Sequence, residues 1–327
     1  TQQHFTYGEN NNTRIYCGVI IDNTYLYMGT DNGILVYNYR ADRYEQPETD
    51  FPTDVRTMAL QGDTLWLGAL NGLYTYQLQS RKLTSFDTRC NGLPNNTIYS
   101  IIRTKDNQIY VGTYNGLCRY IPSNGKFEGI PLPVHSSQSN LFVNSLLEDT
   151  TRQCVWIGTE ESLYMCADGE MRVMADSAGA YSLGLIQALC VYEDSSHAIW
   201  VGTSSGLYRY KEGTSLSWER YSMSDGLPND CISGILEDKK GRLWLTTSRG
   251  LSCFDLQKRN FCNYIKQDGL PHNQFMQSAV CSSRDGTFFL GTLNGVVFFN
   301  PEHFSGTPFT PNAVITGLSI QNLPIRQ

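Results

Sequence analysis

The stretch IWVGTSSGLYRY (199–210) reads as an apolar strand ending in Gly-Thr, a tight turn, then Gly-Leu and a second strand. The same phrase recurs as LYMGTDNGILVY (26–37), LWLGALNGLYTY (65–76), IYVGTYNGLCRY (109–120), VWIGTEESLYMC (155–166), LWLTTSRGLSCF (243–254) and FFLGTLNGVVFF (288–299). Between the equivalent positions Gly29, Gly68, Gly112, Gly158, Gly202, Thr246 and Gly291 the steps are 39, 44, 46, 44, 44 and 45 residues. A period of about 40–50 residues holding several strands per unit is the mark of a β-propeller. The expected fold is therefore all-β, a seven-bladed β-propeller with four-stranded antiparallel blades.

The third unit shows how one blade is assembled. Residues 97–102 form a first strand, 109–113 a second, 117–121 a third and 126–130 a fourth. Asn-Gly between apolar runs signals a hairpin, because a type I′ turn needs positive φ at both central residues. Four units keep that pair: Asn32-Gly33, Asn71-Gly72, Asn115-Gly116 and Asn294-Gly295. Units five and six keep only Gly206 and Gly250, and unit four has Glu161-Ser162, which predicts a strained turn or another loop type.

Two recurring patterns invite a chemical reading and are better explained by packing. The aromatic position two residues before each reference point (Tyr27, Trp66, Tyr110, Trp156, Trp200, Trp244, Phe289) fills the space between blades rather than forming a sugar platform. The Glu-Asp pairs at 148–149, 193–194 and 237–238 sit where the first strand turns. Asp there bonds its own backbone, so these are turn formers and not acid/base couples.

A propeller must hide its first and last edges. Unit seven has no fourth strand before Asn300-Pro301, so residues 3–7 are predicted to be the outer strand that completes the last blade. The ring then spans 1–307. After Pro308 the texture FTPNAVITGLSIQNLPI (309–325) has no copy among the repeats, and 308–327 reads as a linker and one strand of a following domain. The chain starts at Thr1 with no charged-then-apolar leader, which reads as a piece of a longer protein.

Bulk properties exclude several classes. A net charge of −6 offers no basic face to nucleic acid or an anionic membrane. No run of about 18 apolar residues exists, so membrane attachment would come only through a segment beyond the C-terminus. The ten cysteines contain no Cys-x-x-Cys pair, and most are expected to behave as small buried hydrophobes. Cys253 and Cys262 flank a predicted hairpin and are the candidate disulfide. The five histidines lack metal-binding spacing, and no nucleophile or phosphate-cradling motif appears. No catalytic residue, metal or cofactor is assigned, and the domain is expected not to be an enzyme. A propeller lyase or hydrolase would have only His272 beside Asp230 to work with.

Binding is expected on the rim shared by the fourth-to-first-strand loops and the second-to-third-strand turns. The first kind carries Asn95, Asn96, Asn229, Asp230, His272, Asn273 and Gln274; the second carries Tyr114 and Arg249. Amides beside an exposed ring suit an oligosaccharide, whose hydroxyls need donors and acceptors and whose C–H face packs on an aromatic. The same Asn residues would also serve a loop that caps itself. Arg56, Asn144, Gln187 and Ser233, near the starts of inner strands, are placed along the central channel, with a solvated wall as their simplest role.

The loops GLPNNTI (92–98), GLPNDCI (226–232) and GLPHNQF (269–275), each leading to an LWLGALNGL-type hairpin, resemble the regulator-propeller repeats of bacterial sensors, best populated in the hybrid two-component systems of gut Bacteroidetes. DGLPHNQF (268–275), Asp285-Gly286, Gly291 and Phe299-Asn300-Pro301 are similar to the family's last blade. VITGLSIQNLPI (314–325) is similar to the start of its triple-tyrosine, immunoglobulin-like connector. The resemblance implies a periplasmic sensor of an inner-membrane histidine kinase that senses, or relays the sensing of, an oligosaccharide. Its partners would be that glycan, the adjacent propeller and connector of the same chain, and a second copy in a homodimer. The rival reading is a non-enzymatic interaction scaffold.

Overall fold

The computed structural model describes residues 6–9, 13–45, 47, 49–133, 141–175, 187–211, 217–303, 319–320 and 323–324. Seven four-stranded antiparallel sheets follow one another around an axis, a seven-bladed propeller. Their innermost strands are Ile15–Ile21, Val55–Gln61, Ile98–Arg103, Val143–Asp149, Ala188–Glu193, Ile232–Glu237 and Phe275–Ser282. The last blade is closed by the N-terminal strand Thr6–Glu9, which pairs antiparallel with Gly295–Phe299. The predicted strand 3–7 falls partly on residues 1–5, which lie outside the described ones, and the described strand overlaps it at residues 6 and 7. In the tail, Ser319–Ile320 pairs with Leu323–Pro324, two short strands where one was expected.

No single core lies at the axis. Seven apolar clusters each join one blade to the next, as where Trp244, Leu251 and Tyr264 of blade six meet Phe288, Val297 and Phe299 of blade seven. The aromatic stripe supplies them: Trp156 and Trp200 are fully buried, and Trp66, Trp244 and Phe289 nearly so.

Close approach explains the repeated Gly-Thr. A Cβ on Gly202 would stand 2.5 Å from Cys190 Sγ, with Ile232 of the next blade as near as 2.8 Å. Blade six breaks the rule with Thr246, and compensates on the opposite strand. Thr246 faces Gly234, whereas Gly202 faces Cys190 and Gly158 faces Ser145. The glycine has moved across the ladder, so that each of these pairs keeps one glycine.

In every unit but the second, where Ala69 stands in its place, a Thr at the end of the second strand clasps the turn. Thr30, Thr113, Thr203, Thr247 and Thr292 donate to the carbonyls of Gly33, Gly116, Gly206, Gly250 and Gly295 at 2.8–3.0 Å. This corrects the expected type I′ geometry. Positive φ falls on the glycine alone (Gly33 +107°, Gly116 +107°), which follows the two-residue turn. One left-handed residue suffices, so Ser-Gly and Arg-Gly serve as well as Asn-Gly. In blade four Thr159 makes the same clasp to Ser162, and neither Glu161 nor Ser162 has positive φ. That turn is a different loop type and unstrained.

Candidate functional site at the bulged end of the central channel

The rim loops knit themselves together. Asn95 Oδ1 accepts from Thr97 N at 2.8 Å, and Asn229 Oδ1 from Cys231 N at 2.9 Å. The following residue closes the loop from its other side: Asn96 accepts from Thr88 N, Asp230 from Met223 N and Asn273 from Lys266 N, at 2.7–3.0 Å. One acceptor of each is therefore committed to its own loop. His272 is half-buried, and Gln274 and Arg249 are exposed. Tyr114 is 51% exposed and meets Phe142 edge-on at 5.7 Å.

Every inner strand carries a β-bulge next to its first residue, and bulges re-aim side chains. The extra residues are Tyr16, Arg56, Tyr99, Asn144, Leu189 and Ser233, with residues 276–279 forming a wider one in blade seven. Sequence reading had no signal for the bulges, since an inserted residue changes register without changing composition.

The wide bulge of blade seven makes the channel lopsided. Gln277 Nε2 and Ser278 Oγ reach past blade six to the Leu189 carbonyl of blade five, at 3.2 and 3.3 Å. Ser233 turns away to Thr246 at 2.9 Å. The remaining cavity, about 310 Å³, takes bulged residues from blades two, three and four: Arg56, Tyr99 and Asn144, with Ser278 opposite.

Around that cavity the polar groups form one constellation. Arg56 stacks on Tyr16 at 3.8 Å and pairs with Asp54 at 3.4 Å, yet its Nε has no partner. Ser145 Oγ, in a residue only 7% exposed, has none either. Asn144 and Gln187 both donate to Glu160, at 3.3 and 2.7 Å. Gln187 thus stands behind the lining residues rather than among them. Tyr99 packs on Phe142 at 4.0 Å, and burial raises its hydroxyl pKa while Arg56 works the other way. Glu160 occupies the turn whose sequence departs from the repeat.

The opposite rim is saturated. Asp149, Asp194 and Asp238 accept the indole N–H of Trp156, Trp200 and Trp244 at 2.7–3.0 Å. Where the ring is Tyr110 or Phe289, with no indole, Thr104 or Ser283 takes the place of that Asp. The Glu of each pair latches the preceding blade: Glu148 to Lys105 N, Glu193 to Thr151 Oγ1 and Glu237 to Ser195 N. All three Glu-Asp pairs are thereby structural. Cys253 and Cys262 are direct cross-strand partners, and both thiols are free.

The profile of the two-component regulator propeller matches residues 92–115 and 226–249, each a loop and its following blade. The chain is built of two-component regulator propeller repeats. This regulator propeller is 48% identical to the extracellular domain of a Bacteroides thetaiotaomicron protein assigned to the hybrid two-component systems, over 92% of this chain and 53% of that one, TM-score 0.53. A second such domain from that organism, 21% identical over 97% and 46% of the two chains, shares the fold at TM-score 0.77. Histidine kinase P4 of Formosa agariphila is 27% identical over 91% of this chain and 23% of its own length. The regulator propeller thus spans about half of the solved domains and about a quarter of the kinase.

Proposed function

We propose that this regulator propeller is the periplasmic sensor domain of a membrane-bound hybrid histidine kinase, itself non-enzymatic. It senses an oligosaccharide, or relays its sensing by a neighbouring propeller. It passes the signal through a connector that begins within 308–327. The kinship with extracellular sensor domains supports the first part. One observation supports a binding role for the rim: the large apolar side chains left exposed among the described residues, Tyr114, Met223 and Leu293, all lie on loops of that one rim. A ligand signals only by favouring one domain arrangement over another, so it must also stabilise the protein. A panel of glycans added to the complete extracellular region is expected to contain one that raises its melting temperature. A panel without effect overturns the sugar reading. If light scattering instead shows a tight ligand-independent dimer through this rim, the scaffold reading takes its place.

A further inference from the structure

We infer that the cavity bounded by Arg56, Tyr99, Asn144 and Ser145 receives the terminal residue of a neutral, uncharged-sugar chain, entering end-on from the rim. This rests on the oligosaccharide reading above and adds the place and the chemical class. The argument begins with polar groups that the fold buries and leaves unpaired. A buried donor without a partner costs stability, so it persists where something outside the chain satisfies it. Arg56 Nε and Ser145 Oγ are two such groups, from the inner strands of blades two and four, which line the same channel.

The neighbouring chemistry is that of a hydroxyl-rich ligand. Glu160 is held by the Asn144 and Gln187 amides, which leaves the amide oxygen of Asn144, the one of the three in the lining, to accept a sugar hydroxyl. Tyr99, in the lining and backed by Phe142 at 4.0 Å, provides a ring surface for a C–H face. Charge selects against acidic sugars. Asp54 already meets the Arg56 cation, and Glu160 adds a carboxylate that forms no ion pair among the described residues. A volume of about 310 Å³ lies at the small end of ligand pockets, enough for the end of a chain and not its middle. Blades five and six line the same cavity with Cys190, Val191, Tyr192, Gly234, Ile235 and Leu236, so its unpaired polar side chains stand on the side of blades two to four.

The test uses the intact extracellular region and calorimetry. The probes are neutral gluco-, xylo-, manno- and galacto-oligosaccharides, with oligogalacturonides and sulfated oligosaccharides as the charged set. A neutral probe is expected to bind, and Arg56→Gln and Glu160→Gln each to weaken it by about tenfold or more. Glu160→Gln lies in a surface turn and keeps the test open should Arg56→Gln fold poorly. Ser248→Ala and Gln267→Ala, exposed on the rim loops of blade six, are expected to change affinity by less than about threefold. Binding that is lost in the rim variants and unchanged in the channel variants overturns this placement while leaving the sugar reading intact. Binding of the charged set alone overturns the neutral class. No binding by any probe overturns both.

Discussion

On the rim where first strands turn into second strands, Asp238 accepts from the Trp244 indole, the Arg242 guanidinium and two backbone amides, all within 3.0 Å. At the other end of the same channel, Arg56 Nε and Ser145 Oγ accept and donate nothing. Both ends are built from the same seven repeats, so the difference is not one of fold. A propeller needs its blades locked at one end, where indoles and carboxylates would otherwise be buried unpaired. At the other end the bulges turn side chains towards the axis, where no second blade faces them. Saturation marks the structural end, and unmet donors mark the end proposed to meet a ligand.

The severest way to break this contrast is to unseal the ring itself. Deleting residues 1–9 removes the ladder from Thr6–Glu9 and bares the edge of Gly295–Phe299. Each lost bond contributes about 1 kcal/mol and the edge invites aggregation, so a large fall in melting temperature and loss of monomer on gel filtration are expected. Next come paired substitutions at the two ends. Asp149→Ala strands the buried Trp156 indole, takes one partner from Arg152, which keeps the His197 carbonyl, and should cost about 3 kcal/mol in denaturant unfolding, whereas Ser145→Ala should cost almost nothing. Equal costs would erase the contrast.

Acid should act through the saturated end. Burial opposes ionisation of Asp149, but the Trp156 indole and Arg152 outweigh it and hold its carboxyl below the usual range. Asp285 is depressed chiefly by its Ser283 hydrogen bond. A carboxyl depressed in the folded state stabilises fully above its unfolded value of about 4, and that contribution is lost as pH falls through the folded value. The melting temperature should therefore be steady at neutral pH and drop below about pH 4, less steeply in Asp149→Asn. The smallest effect concerns thiols. Burial pushes Cys17, Cys118 and Cys190 up to about 12, while Cys90 and Cys262 are exposed. Alkylation of the native protein should label Cys90 and Cys262 first, by mass spectrometry, with no change in melting temperature.

Much of the fold was legible because spacing repeats. The seven Gly-Thr phrases, the aromatic stripe and the missing fourth strand of unit seven all stand in the sequence as local patterns. The turn type was misjudged because Asn-Gly looks the same whether glycine lies in the turn or just after it. The Glu-Asp pairs were read correctly as turns, yet their second role was hidden: Trp156 lies seven residues from Asp149, and only the strand register brings them to 3.0 Å. Of the rim residues, Asn95, Asn229 and Asn273 were visible as polar loop positions, and the structure shows each spending an acceptor on its own loop.

Repetition of a strand-turn-strand phrase at a near-constant period determined that this chain closes into seven wedges, because each unit exposes an apolar face that only a copy of itself can cover. Which polar groups are satisfied was decided by tertiary structure alone. Thr246 and Gly234 exchange bulk across a ladder, and Gln277 crosses from blade seven to Leu189 of blade five. Arg56, Tyr99, Asn144 and Ser145, spread over ninety residues of sequence, become neighbours of one cavity. These relations depend on register and ring closure, which act between residues far apart in the chain and leave no local trace in it.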